Sequence, residues 1–172
     1  MKRVGVLSDV HGNLGAFEAC LAHMGQVDLL LFGGDLLGYY FDGPAILRRL
    51  RQLGAHCLLG NHDLYFLSHL GRPVPHDIPT PTAAEYRKRY GPSLELATSA
   101  LTTEEVDFLA GLRSEQRLVV EGRTLLQVHG SPWRPGDEYV YPDFPAFERF
   151  DTVDADVVLM GHILHDWNLE QK

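Results

Sequence analysis

Val4-Gly5-Val6-Leu7-Ser8-Asp9-Val10-His11-Gly12 is the stretch on which the fold turns. An apolar run with two valines stops at a serine and an aspartate, so it reads as a buried strand ending in polar groups. Leu14, Phe17, Leu21 and Met24 then recur at helical spacing and predict a helix directly behind it. The pattern repeats. Asp28 to Phe32 is a second apolar run, closed by Gly33-Gly34-Asp35. Asp42 ahead of Pro44 looks like an N-cap with a first-turn proline. Ile46, Leu47, Leu50 and Leu53 form the next stripe, and Gly54 stops it. His56 to Leu59 gives a third strand, ending at Gly60-Asn61-His62-Asp63. The order β-α-β-α-β implies parallel strands with right-handed crossovers. All strand-to-helix junctions then emerge at one sheet edge, where α/β folds place their ligands.

The rest of the chain is less regular. Arg72 to Thr82 holds Pro73, Pro75, Pro79 and Pro81 and reads as an irregular excursion near the site. Ala83 to Ala97 is predicted helical, and Thr102 with Glu105 makes a capping box for a short helix through Leu112. Leu118 to Val120, Glu121-Gly122 and Thr124 to Val128 read as a β-hairpin that ends at His129. A loop rich in proline and aromatic residues follows, from Pro132 to Pro145, and Val157 to Met160 is a last strand, ending at Gly161-His162.

Five apolar strands thus run into residues that bind metals: Asp9 and His11, Asp35, Asn61 and His62, His129, and His162. Asp35 follows Asp9 by 26 residues and Asn61 follows Asp35 by 26, one βα unit each. Taken singly, each has an ordinary use. Asp9 caps a helix near Asn13, Asp35 serves a turn, Asn61 sits in a turn, and a lone strand-end histidine is structural. Those uses are independent accidents, whereas one shared site accounts for all five junctions. Carboxylate, imidazole and amide oxygen at a single edge is first-row divalent-metal chemistry.

Asp9-x-His11, Gly34-Asp35, Gly60-Asn61-His62-Asp63, His129 and Gly161-His162 stand in the order found in the calcineurin-like metallophosphoesterases, and the chain resembles that family over residues 3–162. Gly34-Asp35-Leu36-Leu37-Gly38-Tyr39 is similar to the small bacterial phosphodiesterase-like branch; a protein Ser/Thr phosphatase would carry Asp-Arg-Gly shortly after the aspartate. The resemblance implies an α/β sandwich of two mixed sheets flanked by helices, with two divalent metals. Manganese is favoured, with iron, zinc, nickel or cobalt as alternatives. It implies that Asp9 and His11 bind the first metal, that Asp35 bridges both, and that Asn61, His129 and His162 complete the second. His62 would not be a ligand; it would stabilise the substrate phosphate and protonate the leaving oxygen. The implied reaction is hydrolysis of a phosphate ester, with a phosphodiester favoured, by a hydroxide shared between the metals. A metal-binding interaction scaffold of the same fold is the alternative.

Two departures bear on this. The family carries His-x-His after its last glycine, but here Gly161-His162-Ile163-Leu164-His165 puts leucine at the second ligand position. His165 stands one residue late, and in an extended segment that turns a side chain to the opposite face. The family also continues with further strands, whereas this sequence stops ten residues after His162. A C-terminally short domain with an exposed sheet edge, and homodimerisation through that edge, are the expectations drawn from it.

Composition sets the outer bounds. The 172 residues, 45% hydrophobic and 22% charged, read as a single globular domain over 1–172. Fifteen Lys and Arg against 23 Asp and Glu leave a net charge of −8, which argues against nucleic-acid binding without a partner. A small phosphate ester is the expected substrate. No apolar run is long enough for a bilayer, and Lys2-Arg3 ahead of a run broken by Asp9 is no secretion signal. Cys20 and Cys57, alone within apolar segments, suit a reducing, cytoplasmic setting and match no nucleophile motif. Tyr39, Tyr40, Trp133 and Tyr139 are candidates for a substrate wall, Arg134 for a phosphate contact, and Asp63 for a helix-start acid or a partner of His62.

Overall fold

The structure, a computed structural model, describes residues 1–76 and 78–162. His165 lies outside the described residues. The first half follows the β-α alternation. Strands β1 (Val4–Leu7), β2 (Leu29–Phe32) and β3 (His56–Cys57) form a parallel sheet in that order, with Val4 opposite Leu29 and Leu31 opposite His56. β3 is shorter than the apolar run His56 to Leu59 because the chain leaves the ladder. Leu58 still donates to the Phe32 carbonyl, but Leu59 donates to Arg113. Helix α1 (Leu14–Met24) is capped by Asn13, whose side chain accepts from the Ala16 amide at 3.0 Å; Asp9 is therefore free of capping. Helix α2 (Gly43–Gln52) has Pro44 in its first turn, but Asp42 makes no side-chain capping bond. Its stripe of Ile46, Leu47 and Leu50 is fully buried. These residues meet Phe17, Phe32, Leu59, Leu64 and Phe66 in the core beneath the helices.

One helix is added and one is divided. Gly60-Asn61-His62-Asp63, read as the end of the third strand with Asn61 in a turn, opens helix α3 (Asn61–His69). The helix expected over Ala83 to Ala97 is two helices, α4 (Ala83–Tyr90) and α5 (Ser93–Ala100). Gly91 at φ 76 ends the first, and Pro92, which lacks an N–H, caps the start of the second. The capping box at Thr102 and Glu105 opens α6 (Thr103–Ala110) as predicted, and Thr82 with Glu85 forms another on α4.

The second sheet orders β4 (Glu115–Val120), β5 (Arg123–Val128) and β6 (Val157–Met160). β4 and β5 pair antiparallel and β5 and β6 parallel, so this sheet is mixed while the first is parallel. Glu121 and Gly122 both have positive φ, the signature of the tight hairpin turn read from the sequence. A short 3-10 helix (Phe147–Thr152) precedes β6. The sheets abut at their strand ends. Gly161 fits so closely there that a Cβ would stand 3.0 Å from the Gly33 carbonyl oxygen.

Glu105 joins α6 to α2. It accepts from Arg48 Nε at 2.6 Å and from the Thr102 amide at 2.9 Å, and the Arg48 hydrogen bond leads in pulling its carboxyl down to about 2. A carboxyl held below its ordinary 4.5 adds stability above that value and loses it as pH falls toward 2. Arg48 is half exposed, so the pair is modest. Glu105→Gln should lower unfolding stability by about 1 kcal/mol near neutral pH. It should also flatten the stability profile between about pH 4.5 and pH 2, followed by denaturant unfolding at several pH values.

Candidate metal centre

The C-terminal ends of the strands deliver the side chains. Asp9 and His11 follow β1, Asp35 follows β2, Asn61 and His62 open α3 behind β3, His129 follows β5, and His162 follows β6. The structure brings all seven together. Six of them, all but the fully buried His129, line a cleft of about 670 Å³.

The backbone at these points is unusual. Among the described residues, five non-glycine residues have positive φ, and four of them are Asp9, His11, Asp35 and His162. That left-handed conformation costs an L-residue about 1–2 kcal/mol. It is held by neighbouring hydrogen bonds: the Asp9 amide donates to Gly34 and the His11 amide to the Asp35 carbonyl. Tight glycine contacts complete the cradle. A Cβ on Gly34 would meet the Gly60 amide nitrogen at 2.5 Å, and a Cβ on Gly60 would meet Asp35 Oδ1 at 2.1 Å. Asp63 ties the same loops together, accepting from the amides of Leu37 at 2.9 Å, Gly60 at 3.0 Å and Leu36 at 3.3 Å. It is the helix-start acid anticipated from the sequence, and it also anchors the loop after β2.

Asp35 is the centre. It is 2% exposed, and its two oxygens face different histidines: Oδ2 lies 3.6 Å from His11 Nε2 and Oδ1 3.7 Å from His129 Nε2. Burial pushes its carboxyl well above the ordinary value, and the charges of Asp63 and Asp9 add to this. Burial pushes His11 and His129 down, so both rings are neutral. A neutral imidazole carries one proton. In His11 Nδ1 lies 3.1 Å from the Leu37 carbonyl, and in His129 Nδ1 lies 2.8 Å from the Gly33 carbonyl. Those carbonyls take the protons and leave each Nε2 bare toward Asp35. His129 Nε2 also faces Asn61 Oδ1 and His162 Nδ1, both at 3.1 Å. Burial brings His162 down to about 4, so it too is neutral. The bare Nε2 atoms of His11 and His129 converge with the Asn61 oxygen on the Asp35 carboxyl, an arrangement that suits a cation, and a backbone carbonyl on the far nitrogen is how proteins orient metal-binding histidines. The donor set fits divalent metal ions.

Two groupings emerge. Ligand atoms of Asp9, Asp35, His129 and His162 lie within 4.8 Å of one another, as do those of His11, Asp35 and His62. Asp35 belongs to both. Asp9 sides with His162, whose amide donates to both its carboxylate oxygens.

The remaining candidates divide. Tyr39, Tyr40 and Tyr139 are about half exposed and line the cleft together with Tyr141. Trp133 is not part of that wall: it packs against Phe144 and Phe150 with the Arg149 guanidinium 3.9 Å over its ring. Arg134 pairs with Asp137 at 2.9 Å, so its charge is already engaged. Both cysteines are free, and burial pushes the Cys57 thiol up to about 12, which removes it as a nucleophile near neutral pH. The sequence reading missed Tyr86, whose hydroxyl lies 2.7 Å from His62 Nδ1. No spacing rule points to a tyrosine beyond a proline-rich excursion.

With fold and site in place, the comparisons are consistent. The family model for calcineurin-like phosphoesterases matches residues 2–166, and the chain belongs to that family. It is 25% identical over 163 residues to the uncharacterized protein MJ0912 of Methanocaldococcus jannaschii, covering 92% of this chain and 61% of that one. The crystal structure of a metallophosphoesterase from Sphaerobacter thermophilus superposes with a TM-score of 0.69 at 28% identity, over 94% of this chain and 60% of that chain. The hypothetical protein PH1004 from Pyrococcus horikoshii OT3 shares the fold, with a TM-score of 0.64 at 17% identity, over 93% and 69%. The chain thus spans about three fifths of the length of the first two. Among the described residues, no helix is long and apolar enough to cross a membrane.

The cradle is testable. Gly60→Ala would drive a methyl into the Asp35 carboxylate and backbone. It should cost about 1–3 kcal/mol of stability and strip bound metal, read by thermal unfolding and by metal analysis after gel filtration.

Proposed function

We propose that this chain hydrolyses a phosphate ester with the help of two divalent metal ions held on either side of Asp35. The observation that carries this reading is the Asp35 carboxylate, which directs one oxygen toward His11 and the other toward His129. Following the ligand groupings rather than the pairing of Asp9 with His11 that the resemblance implies, Asp9, Asn61, His129 and His162 would serve one ion and His11 the other. Divalent ions there supply Lewis acidity to a phosphoryl oxygen and lower the pKa of a water. Manganese is the favoured ion, since mixed nitrogen and oxygen ligands of this kind suit it and several neighbours in the first row.

The chain's own residues do the rest. Asp35 is held by the His62 amide, which donates to Oδ1 at 2.9 Å, so the bridge cannot swing away. Four tyrosines, Tyr39, Tyr40, Tyr139 and Tyr141, line the cleft. His62, on its floor, stabilises charge on the substrate phosphate. Among the described residues that line the cleft there is no lysine or arginine. A dianionic monoester would find no cationic side chain for its extra charge, and this favours a phosphodiester.

Purified protein should hydrolyse bis(p-nitrophenyl) phosphate in manganese and stop in excess chelator. Turnover indifferent to chelator would sink the metal reading. Metal bound without turnover would favour the interaction scaffold. His62→Ala should lose kcat by about 100-fold or more while metal content persists. Asp35→Ala should lose both ions, and full metal content in that variant would remove the bridge.

A further inference from the structure

The cleft wall carries a pair of parallel rings that the hydrolytic chemistry does not use. Tyr139 and Tyr141 stack with centroids 5.5 Å apart and planes within 2° of parallel. Tyr139 also stands against His162, with ring centroids 3.7 Å apart. The pair thus begins at a candidate metal ligand, and both rings line the same cleft as Asp9, His11 and Asp35.

Local sequence makes this pair. In Tyr139-Val140-Tyr141 the valine is 1% exposed and takes the inward position, which turns its two neighbours out together, as in any alternating segment. The loop that carries them is fixed just ahead of Tyr139. The Ser131 hydroxyl accepts from the amides of Arg134 at 3.0 Å and Trp133 at 3.2 Å and donates to Glu138, and the Gly130 amide donates to the Pro135 carbonyl at 2.7 Å. The rings are not what holds this loop together. Trp133, Phe144 and Phe150 pack on one another for that purpose, while Tyr139 and Tyr141 are left 49% and 48% exposed. Tyr39 differs from them. It stands edge-on to both His11 and Tyr90, at 86° in each case, and so closes a ring cluster instead of offering a parallel face.

We propose that Tyr139 and Tyr141 form a stacking platform for a flat aromatic group on one ester arm of the substrate, so that the site selects phosphodiesters bearing a nucleobase or an aryl ring over those bearing aliphatic groups. The proposal rests on the phosphoesterase reading of the site. Among the described residues the cleft has no lysine or arginine, so its grip on the organic part of a substrate must come from uncharged contacts. A tyrosine face supplies such a contact to any flat π system, whatever its edge pattern. A platform already stacked and anchored loses little freedom when a third ring joins it. The cleft of about 670 Å³ suits a ligand of mononucleotide size, and a net charge of −8 turns away the polyanionic backbone of a longer nucleic acid.

The test uses the full chain loaded with manganese and two matched pairs of probes: AMP with ribose 5-phosphate, and phenyl phosphate with methyl phosphate. The phosphate charge is the same within each pair, so the ratio of affinities reads the ring. By calorimetry AMP should bind about tenfold tighter than ribose 5-phosphate. Tyr141→Ala should erase that ratio, whereas Tyr141→Phe, which keeps the ring, should preserve it. A ratio confined to AMP identifies a nucleoside arm; the same ratio in the phenyl pair extends the platform to aryl esters. In turnover, Tyr141→Ala should raise KM for bis(p-nitrophenyl) phosphate about tenfold, with kcat within about twofold and metal content unchanged. A merely structural role would instead lower kcat and metal content together. Equal affinities within both pairs, or a ratio that survives Tyr141→Ala, would overturn the proposal. Ring-dependent binding without hydrolysis of any phosphate ester would sink the functional reading and leave the platform standing.

Discussion

Everything at this site is arranged around a carboxylate that water hardly reaches. Asp35 lies at the end of the central strand of the parallel sheet, where chain segments from both sheets meet. A bare negative charge in such a place is unfavourable unless opposite charge comes close. The backbone supplies one amide, from His62, and two other carboxylates, those of Asp63 and Asp9, add to the charge nearby. Neutral histidines cannot offset that charge. Cations can, which is why donor chemistry and burial lead to the same reading.

Asp63 does the quieter work. It lies one residue beyond His62 and is just as buried, but it points away from the cleft to gather three backbone amides. By doing so it fixes the loop after β2 against the start of α3, and so sets the distance between Asp35 and the pair Asn61 and His62. Two adjacent polar residues thus divide structural and chemical duty between them. The packing of Gly34 on Gly60 enforces the same spacing from the other side.

Much of this was legible in the sequence because the signals were local. Val4 to Leu7 and Leu29 to Phe32 announce buried strands, and the first polar residues beyond each one fall at the sheet edge. The capping box at Thr102 and the Glu121-Gly122 turn are likewise written in adjacent residues. What was not legible depends on contacts across the chain. α3 was missed because its first residues, Asn61, His62 and Asp63, look like turn formers until tertiary bonds hold them in a helix. The break at Gly91-Pro92 was overlooked because the composition on both sides is helical. Tyr86 escaped notice because a buried tyrosine looks like core until the atom opposite its hydroxyl is known.

The left-handed backbone at Asp9, His11, Asp35 and His162 carries a further meaning. At each position glycine would adopt the same conformation without the steric penalty. The chain therefore holds four sites where the most comfortable residue is also one that removes a metal-binding group. Drift under selection for thermal robustness alone would erode the centre first, leaving a well-folded relative with an empty edge.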